Sequence, residues 1–133
     1  MNILIVDDDD ALLHALHAIV TDWGGDVSCV NSAPLALQAV TEAPYDFVLL
    51  DLRMPKYDGL WFMRNARIPP TTRVILMSGF APRSVVQAIL DLGACDYIEK
   101  PFSPDQLLET LERHVRRDPL SDFACDHSAS SCS

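Results

Sequence analysis

Short apolar runs alternate along this chain with stretches whose apolar residues recur at intervals of three and four. Asn2 to Val6 is apolar and β-branched, and four aspartates, Asp7 to Asp10, cut it off. From Asp9 or Asp10 to about Trp23, Leu12, Leu13, Leu16, Ile19 and Val20 mark an amphipathic helix; an aspartate suits its N-cap and Gly24-Gly25 stops it. Asp26 to Val30 predicts a short strand, Asn31 or Ser32 caps a helix to about Glu42, and Pro44 breaks the chain before the next apolar run. That run, FVLL from Phe47, ends in Asp51, and Pro55 and Asp58-Gly59 follow in a loop.

The same alternation continues. Leu60 to Arg67 predicts a helix whose exit is set by Pro69-Pro70. Arg73 to Met77 is a strand that ends in Ser78-Gly79, and Pro82 opens a helix to about Leu92, with Gly93 as its stop. Cys95 to Ile98 is the fifth strand, followed by Glu99-Lys100-Pro101-Phe102. Ser103-Pro104-Asp105-Gln106 is a capping-box pattern, and its helix runs through Leu107, Leu108, Leu111 and Val115 to about Arg117. Residues 1–117 are thus expected to form one domain, and residues 118–133, polar and without periodicity, a disordered tail or linker remnant.

Five near-continuous apolar strands separated by helices imply an α/β fold with a parallel sheet covered on both faces. Right-handed crossovers bring every strand's C-terminal end to one edge, where ligands bind at the point of strand reversal. The residues standing at those ends are Asp7 and Asp8, Asp51, Ser78, and Glu99-Lys100; only the second strand ends without a reactive group. Two unit charges ~4 Å apart repel by about 4 kcal/mol at an effective dielectric near 20, so the carboxylates call for a cation. Mg²⁺, with an ammonium and a hydroxyl beside it, suits phosphoryl chemistry, and one carboxylate could itself be the nucleophile.

Composition narrows the choice. The chain has 133 residues, 49% of them apolar, and a net charge of −9, which argues against a nucleic-acid-binding surface. No window reaches the length of a membrane span, and the N-terminus lacks the basic region of a signal peptide. Cys29, Cys95, Cys125 and Cys132 have no metal-site spacing, so free thiols in a cytoplasmic setting are expected.

In order, Asp7-Asp8, Asp51 in DLRMP, Asp58-Gly59, Ser78-Gly79 and Lys100-Pro101-Phe102 resemble the site of a response-regulator receiver domain of the two-component signalling systems. The resemblance covers about residues 2 to 117. It implies a flavodoxin-like doubly wound (βα)5 fold with strand order 2-1-3-4-5, and a signalling switch rather than a turnover enzyme. Asp51 would accept a phosphoryl group from a sensor histidine kinase or histidine phosphotransfer protein. Asp8, Asp51 and the backbone carbonyl of Arg53 would hold Mg²⁺ (or Mn²⁺), with Asp7 acting through water. Ser78 and Lys100 would bind the phosphoryl oxygens, Ser78 and Tyr97 would move as the switch, and Arg53 and Phe80 would tune dephosphorylation. The Lys100-Pro101 peptide is expected to be cis. Arg83, Val86, Leu90, Tyr97 and the fifth helix would form an output or homodimerisation face.

Plainer roles stand beside these. Asp9 and Asp10 read as cap and first-turn acids, Asp58-Gly59 as a loop-shaping pair, and His14, His17, His114 and His127 as surface or packing residues. An aspartate-nucleophile phosphatase of the haloacid-dehalogenase type is the alternative: Asp7 and Asp9 fit its acidic pair, with Ser78 and Lys100 as its hydroxyl and lysine. It leaves Asp51 without a role. An inactive receiver serving only as an interaction module is a third option. The chain itself reads as a single-domain regulator or as the receiver portion of a longer protein.

Overall fold

The structure, a computed structural model, describes residues 1–116; the expected tail at 118–133, with Cys125, His127 and Cys132, lies outside the described residues. The chain divides into two compact units, Met1–Pro101 and one beginning at Phe102. The first holds β1 (Asn2–Val6), α1 (Asp10–Trp23), β2 (Asp26–Val30), α2 (Ala33–Glu42), β3 (Phe47–Asp51), α3 (Gly59–Asn65), β4 (Arg73–Ser78), α4 (Arg83–Asp91) and β5 (Asp96–Glu99). Its five strands form one parallel sheet in the order β2-β1-β3-β4-β5.

Strands buried on both faces explain the unbroken apolar runs. Leu4, Val6, Val48, Leu50, Val74 and Leu76 point to one side, into a core with Ala33 and Ala36 of α2, Phe62 and Met63 of α3, and Ile89 of α4. Ile3, Ile5, Leu49, Ile75 and Met77, one residue out of step, point to the other side and are fully buried. The buried stripe of α1, Leu13, Leu16 and Val20, lies on that second side, where a Cβ at Gly25 would touch both Ile3 and Val20. At ~25 cal/mol per Å² of apolar surface removed from water, such a two-sided core is the main stabilising term. β2 is an edge strand and is half exposed, in keeping with its lack of a reactive residue at the C-terminal end.

Local signals in the chain account for most boundaries. Asp9 caps α1 by accepting the Leu12 N–H, and Gly24 ends it in the left-handed conformation at φ 116°. Ser32 caps α2 and Asp58 caps α3. Several expected boundaries need correction, among them the end of β4, which includes Ser78. The third helix begins at Gly59 and ends at Asn65, ahead of the Arg67 expected from Pro69-Pro70. Ala66 is already extended, and the chain straightens so that Ile68 packs against the core. Pro82 precedes α4 as its cap residue and is not inside the helix. The fifth strand runs from Asp96 to Glu99, one residue later than expected: Cys95 donates its N–H to Val74, but the ladder begins with Asp96 opposite Ile75.

The second unit contains α5 (Pro104–Arg116). Its start is a reciprocal capping box: Ser103 N–H donates to Gln106 Oε1 at 2.7 Å, and Gln106 N–H donates to Ser103 Oγ at 3.1 Å.

Candidate functional site

Strand order reverses at β1, with β2 on one side and β3 on the other, and the crevice past the C-terminal ends of β1 and β3 receives the acids. The four consecutive aspartates have four different situations. Asp7 is completely buried, and its Oδ1 accepts the N–H of Asp9 at 2.9 Å. Asp8 is exposed, Asp9 is the α1 cap, and Asp10 stands in the first turn. Asp7, Asp8 and Asp51 each place a carboxylate oxygen within 4.8 Å of the others.

Asp51 ends β3 and is only 4% exposed. The loop after it folds back tightly: Gly59 N–H donates to Leu52 O at 2.8 Å, and a Cβ on Gly59 would stand 2.8 Å from the Asp51 carbonyl oxygen. Glycine is therefore required there by close approach and not by its φ angle. In the same loop Lys56 has φ 67° and Tyr57 N–H donates to Pro55 O at 2.7 Å, a three-residue turn that non-glycine residues seldom adopt.

Lys100 closes the crevice. Its Nζ lies 2.7 Å from Asp7 Oδ2 and 3.3 Å from Asp51 Oδ1, and its N–H donates to Ser78 O at 2.7 Å. The Lys100-Pro101 peptide is cis, as the resemblance implies. Burial and the neighbouring charge of Asp7 push the Asp51 carboxyl from 3.8 up to about 7, although Lys100 opposes the rise. Burial by itself would lower the Lys100 ammonium; its hydrogen bond to Asp7 and the charges of Asp51 and Asp7 outweigh that and hold it above its ordinary value.

The other expected site residues are placed less centrally. Ser78 is buried at the end of β4, beside β3 and β5, and its hydroxyl donates to Phe80 O at 3.1 Å. Tyr97 lies opposite Leu76 and is half-buried against the core. Arg53 is exposed, and Phe80 is 69% exposed. The pairing of Lys100 with Asp7 is the feature that sequence reasoning missed, since four adjacent aspartates carry no signal of which one turns inward. His14 and His17 are exposed on α1, outside the carboxylate cluster.

Three carboxylates face a single ammonium in this crevice, so an all-oxygen donor set remains short of positive charge. That donor set fits a hard divalent cation such as Mg²⁺.

The family model described as response regulator receiver domain matches residues 3–112. The chain belongs to this family. The receiver is 35% identical over 114 residues to the transcriptional regulatory protein ZraR of Escherichia coli (strain K12), covering 85% of this chain and 26% of that protein. It is 35% identical over 121 residues to the response regulator ArlR of Staphylococcus epidermidis (strain ATCC 12228 / FDA PCI 1200), covering 91% of this chain and 55% of that one. The chain thus spans between about a quarter and about half the length of these curated relatives. Among solved structures it resembles a CheY-like receiver domain protein from Methanospirillum hungatei JF-1, with TM-score 0.84, 28% identity, and coverage of 89% of this chain and 95% of that one. It also resembles the Vibrio cholerae chemotaxis protein CheY4, with TM-score 0.78, 26% identity, and coverage of 84% and 96%. A receiver fold with β3 ending in Asp51 leaves the haloacid-dehalogenase alternative without support. Among the described residues no helix is long and apolar enough to cross a membrane.

Proposed function

We propose that this receiver is a phosphorylation switch in which Asp51 is the phosphoacceptor. The observation that carries this is the place of Asp51: a nearly buried carboxylate at the strand-reversal point, within 4.8 Å of two further carboxylates and in contact with the one ammonium of the crevice. An Asp51 oxygen attacks the phosphorus of a partner's phosphohistidine. The P–O bond forms, the P–N bond breaks, and the leaving imidazole keeps the nitrogen lone pair and later takes a proton from solvent. The partner is a sensor histidine kinase or a histidine phosphotransfer protein.

Asp8, Asp51 and the Arg53 backbone carbonyl would hold Mg²⁺ (or Mn²⁺), with Asp7 acting through water. The cation, when bound, supplies the positive charge that three carboxylates and an incoming phosphoryl group require. Lys100, already between Asp7 and Asp51, needs only a small movement to pair with a phosphoryl oxygen. Ser78 must exchange its bond to the Phe80 carbonyl for one to another phosphoryl oxygen, which pulls on the β4 to α4 loop. Tyr97 turns toward the space Ser78 leaves, and the face formed by Arg83, Val86 and Leu90 on α4 with Tyr97 on β5 changes for output or self-association. Arg53 and Phe80 set the phosphoryl lifetime by controlling the approach of water. The chain acts as a switch, assisting its own phosphorylation and dephosphorylation without turning over a substrate.

Incubation with acetyl phosphate and Mg²⁺ tests this. Stoichiometric, acid-stable and base-labile labelling that needs the cation and is lost in Asp51→Ala is the expected result. Catalytic turnover of a phosphate ester, or undiminished labelling of Asp51→Ala, would refute it.

A further inference from the structure

Charge is strongly segregated along the chain. Residues 1–52 contain nine acids and no Lys or Arg, whereas residues 53–90 contain six cations and one acid within a chain of net charge −9. Of those cations Arg73 is engaged; Arg53, Lys56, Arg64, Arg67 and Arg83 form no ion pair among the described residues. Arg64 has an ordinary explanation in the last turn of α3, where a cation suits the helix dipole. Arg53, Lys56, Arg67 and Arg83 are exposed and stand outside a helix's last turn.

Of these, Arg53 lines an apolar cleft, and Lys56 and Arg83 belong to the loop and helix start that border it. The cleft, about 630 Å³, is lined by Leu52, Met54, Pro55 and Leu60 on one side and by Pro82 and Val85 on the other, with Arg53 in its wall. Its single acid, Asp58, already accepts the Trp61 N–H at 2.9 Å as the cap of α3. The bordering loops carry exposed aromatic rings: Tyr57 is 43% exposed and packs on Trp61 with ring centroids 4.6 Å apart, and Phe80, two residues before Pro82, is 69% exposed. An apolar centre, an aromatic and cationic surround and few polar groups to orient a small ligand are the features of a protein-binding hot spot.

We infer that this cleft between the β3 to α3 loop and the start of α4 docks a partner protein through an acidic segment bearing apolar anchor residues. The anchors enter between Leu60 and Val85, and the acids meet Arg53, Lys56 and Arg83. A nucleic acid is disfavoured, because a phosphate strand passing Arg53 would run into Asp51, Asp7 and Asp8, and residues 1–52 offer no cation to continue its track. The cleft shares Arg83 at its edge with the Val86, Leu90 and Tyr97 face, but its lining between Leu60 and Val85 is separate from that face and does not depend on phosphoryl transfer at Asp51.

The test uses the full chain and a synthetic helical peptide in which Leu and Phe recur at i, i+3 and i+4 among Glu residues. Titration should shift the amide resonances of Leu52, Tyr57, Leu60 and Val85. Affinity should fall about tenfold or more in Lys56→Glu/Arg83→Glu, and similarly when the peptide's Leu and Phe become Ser. Both substituted residues are exposed, and an unchanged amide spectrum elsewhere shows that the variant folds. Shifts confined to other faces, or affinity indifferent to the charge reversal, would overturn the inference. So would an oligonucleotide that binds the cleft as tightly, or self-association in sedimentation that Lys56→Glu alone abolishes, which would make a second copy the occupant.

Discussion

Asp51 is held where its charge is unwelcome, and that has a measurable cost. Its carboxyl is raised from 3.8 to about 7, first by burial and then by Asp7. The folded protein therefore binds this proton more tightly than the unfolded chain. The contribution is favourable to folding below about pH 4 and is lost as the pH rises through about 7. In metal-free buffer, Asp51→Asn should accordingly become more stable than the native chain as the pH rises across this window. The gain should reach about 1–3 kcal/mol at pH 8, measured by urea unfolding of the two proteins in parallel. A stability difference that does not change with pH would contradict the electrostatic account. Lys100 is the counterpart: with Lys100→Met, Asp7 is left buried without its 2.7 Å partner. We expect a loss of about 3 kcal/mol in the same assay, partly recovered on adding Mg²⁺. Phe80→Ala should shorten the lifetime of the phosphoryl group; equal decay rates in the two proteins would remove Phe80 from that role. The residue types of the site were readable because charged and hydroxyl residues ended apolar runs. Which of the four aspartates is buried was not, because that depends on Lys100, 93 positions away.

At the scale of elements, the loop between β3 and α3 links Asp51 to the helix that follows. Asp58 fixes the start of α3, and Gly59 lets the chain pass the Asp51 carbonyl. Gly59→Ala should destabilise by about 1–3 kcal/mol, since the two atoms nearest the new Cβ, Asp51 O at 2.8 Å and Leu52 Cα at 3.1 Å, both belong to the backbone. Gly79→Ala is its control: no atom lies within 4 Å of a Cβ there, and the change should be small. Equal effects in thermal unfolding would mean that close approach does not explain Gly59. Strand signals in the sequence placed β1 and β2 at their observed limits, and cap signals narrowed the first two helix starts to Asp9 or Asp10 and to Asn31 or Ser32, of which Asp9 and Ser32 are the caps. The end of α3 escaped because packing the partly buried Ile68 against the core is a tertiary effect that overrides two prolines further on. The offset of β5 has a similar origin, since the sheet register with β4, not the apolar run, decides where the ladder begins.

Across the whole first unit, parallel order makes the sheet a device for collecting strand ends. β1, β3, β4 and β5 deliver Asp7 and Asp8, Asp51, Ser78, and Lys100 to one edge, and the order β2-β1-β3-β4-β5 puts the two acidic ends side by side. Alternation of element types was enough to foresee this edge. The apolar cleft beside it was not foreseen, since it joins residues from the β3 to α3 loop and α4 whose proximity exists only after folding. In the proposed switch the phosphoryl group resides on Asp51 and not on the other carboxylates 4.8 Å or less away. Borohydride reduction after labelling with acetyl phosphate and Mg²⁺ distinguishes these positions, because reduction of an aspartyl phosphate leaves homoserine at the modified position. Peptide mass spectrometry should find homoserine at position 51 and aspartate at positions 7 and 8. Homoserine at position 7 or 8, with position 51 unchanged, would contradict the assignment.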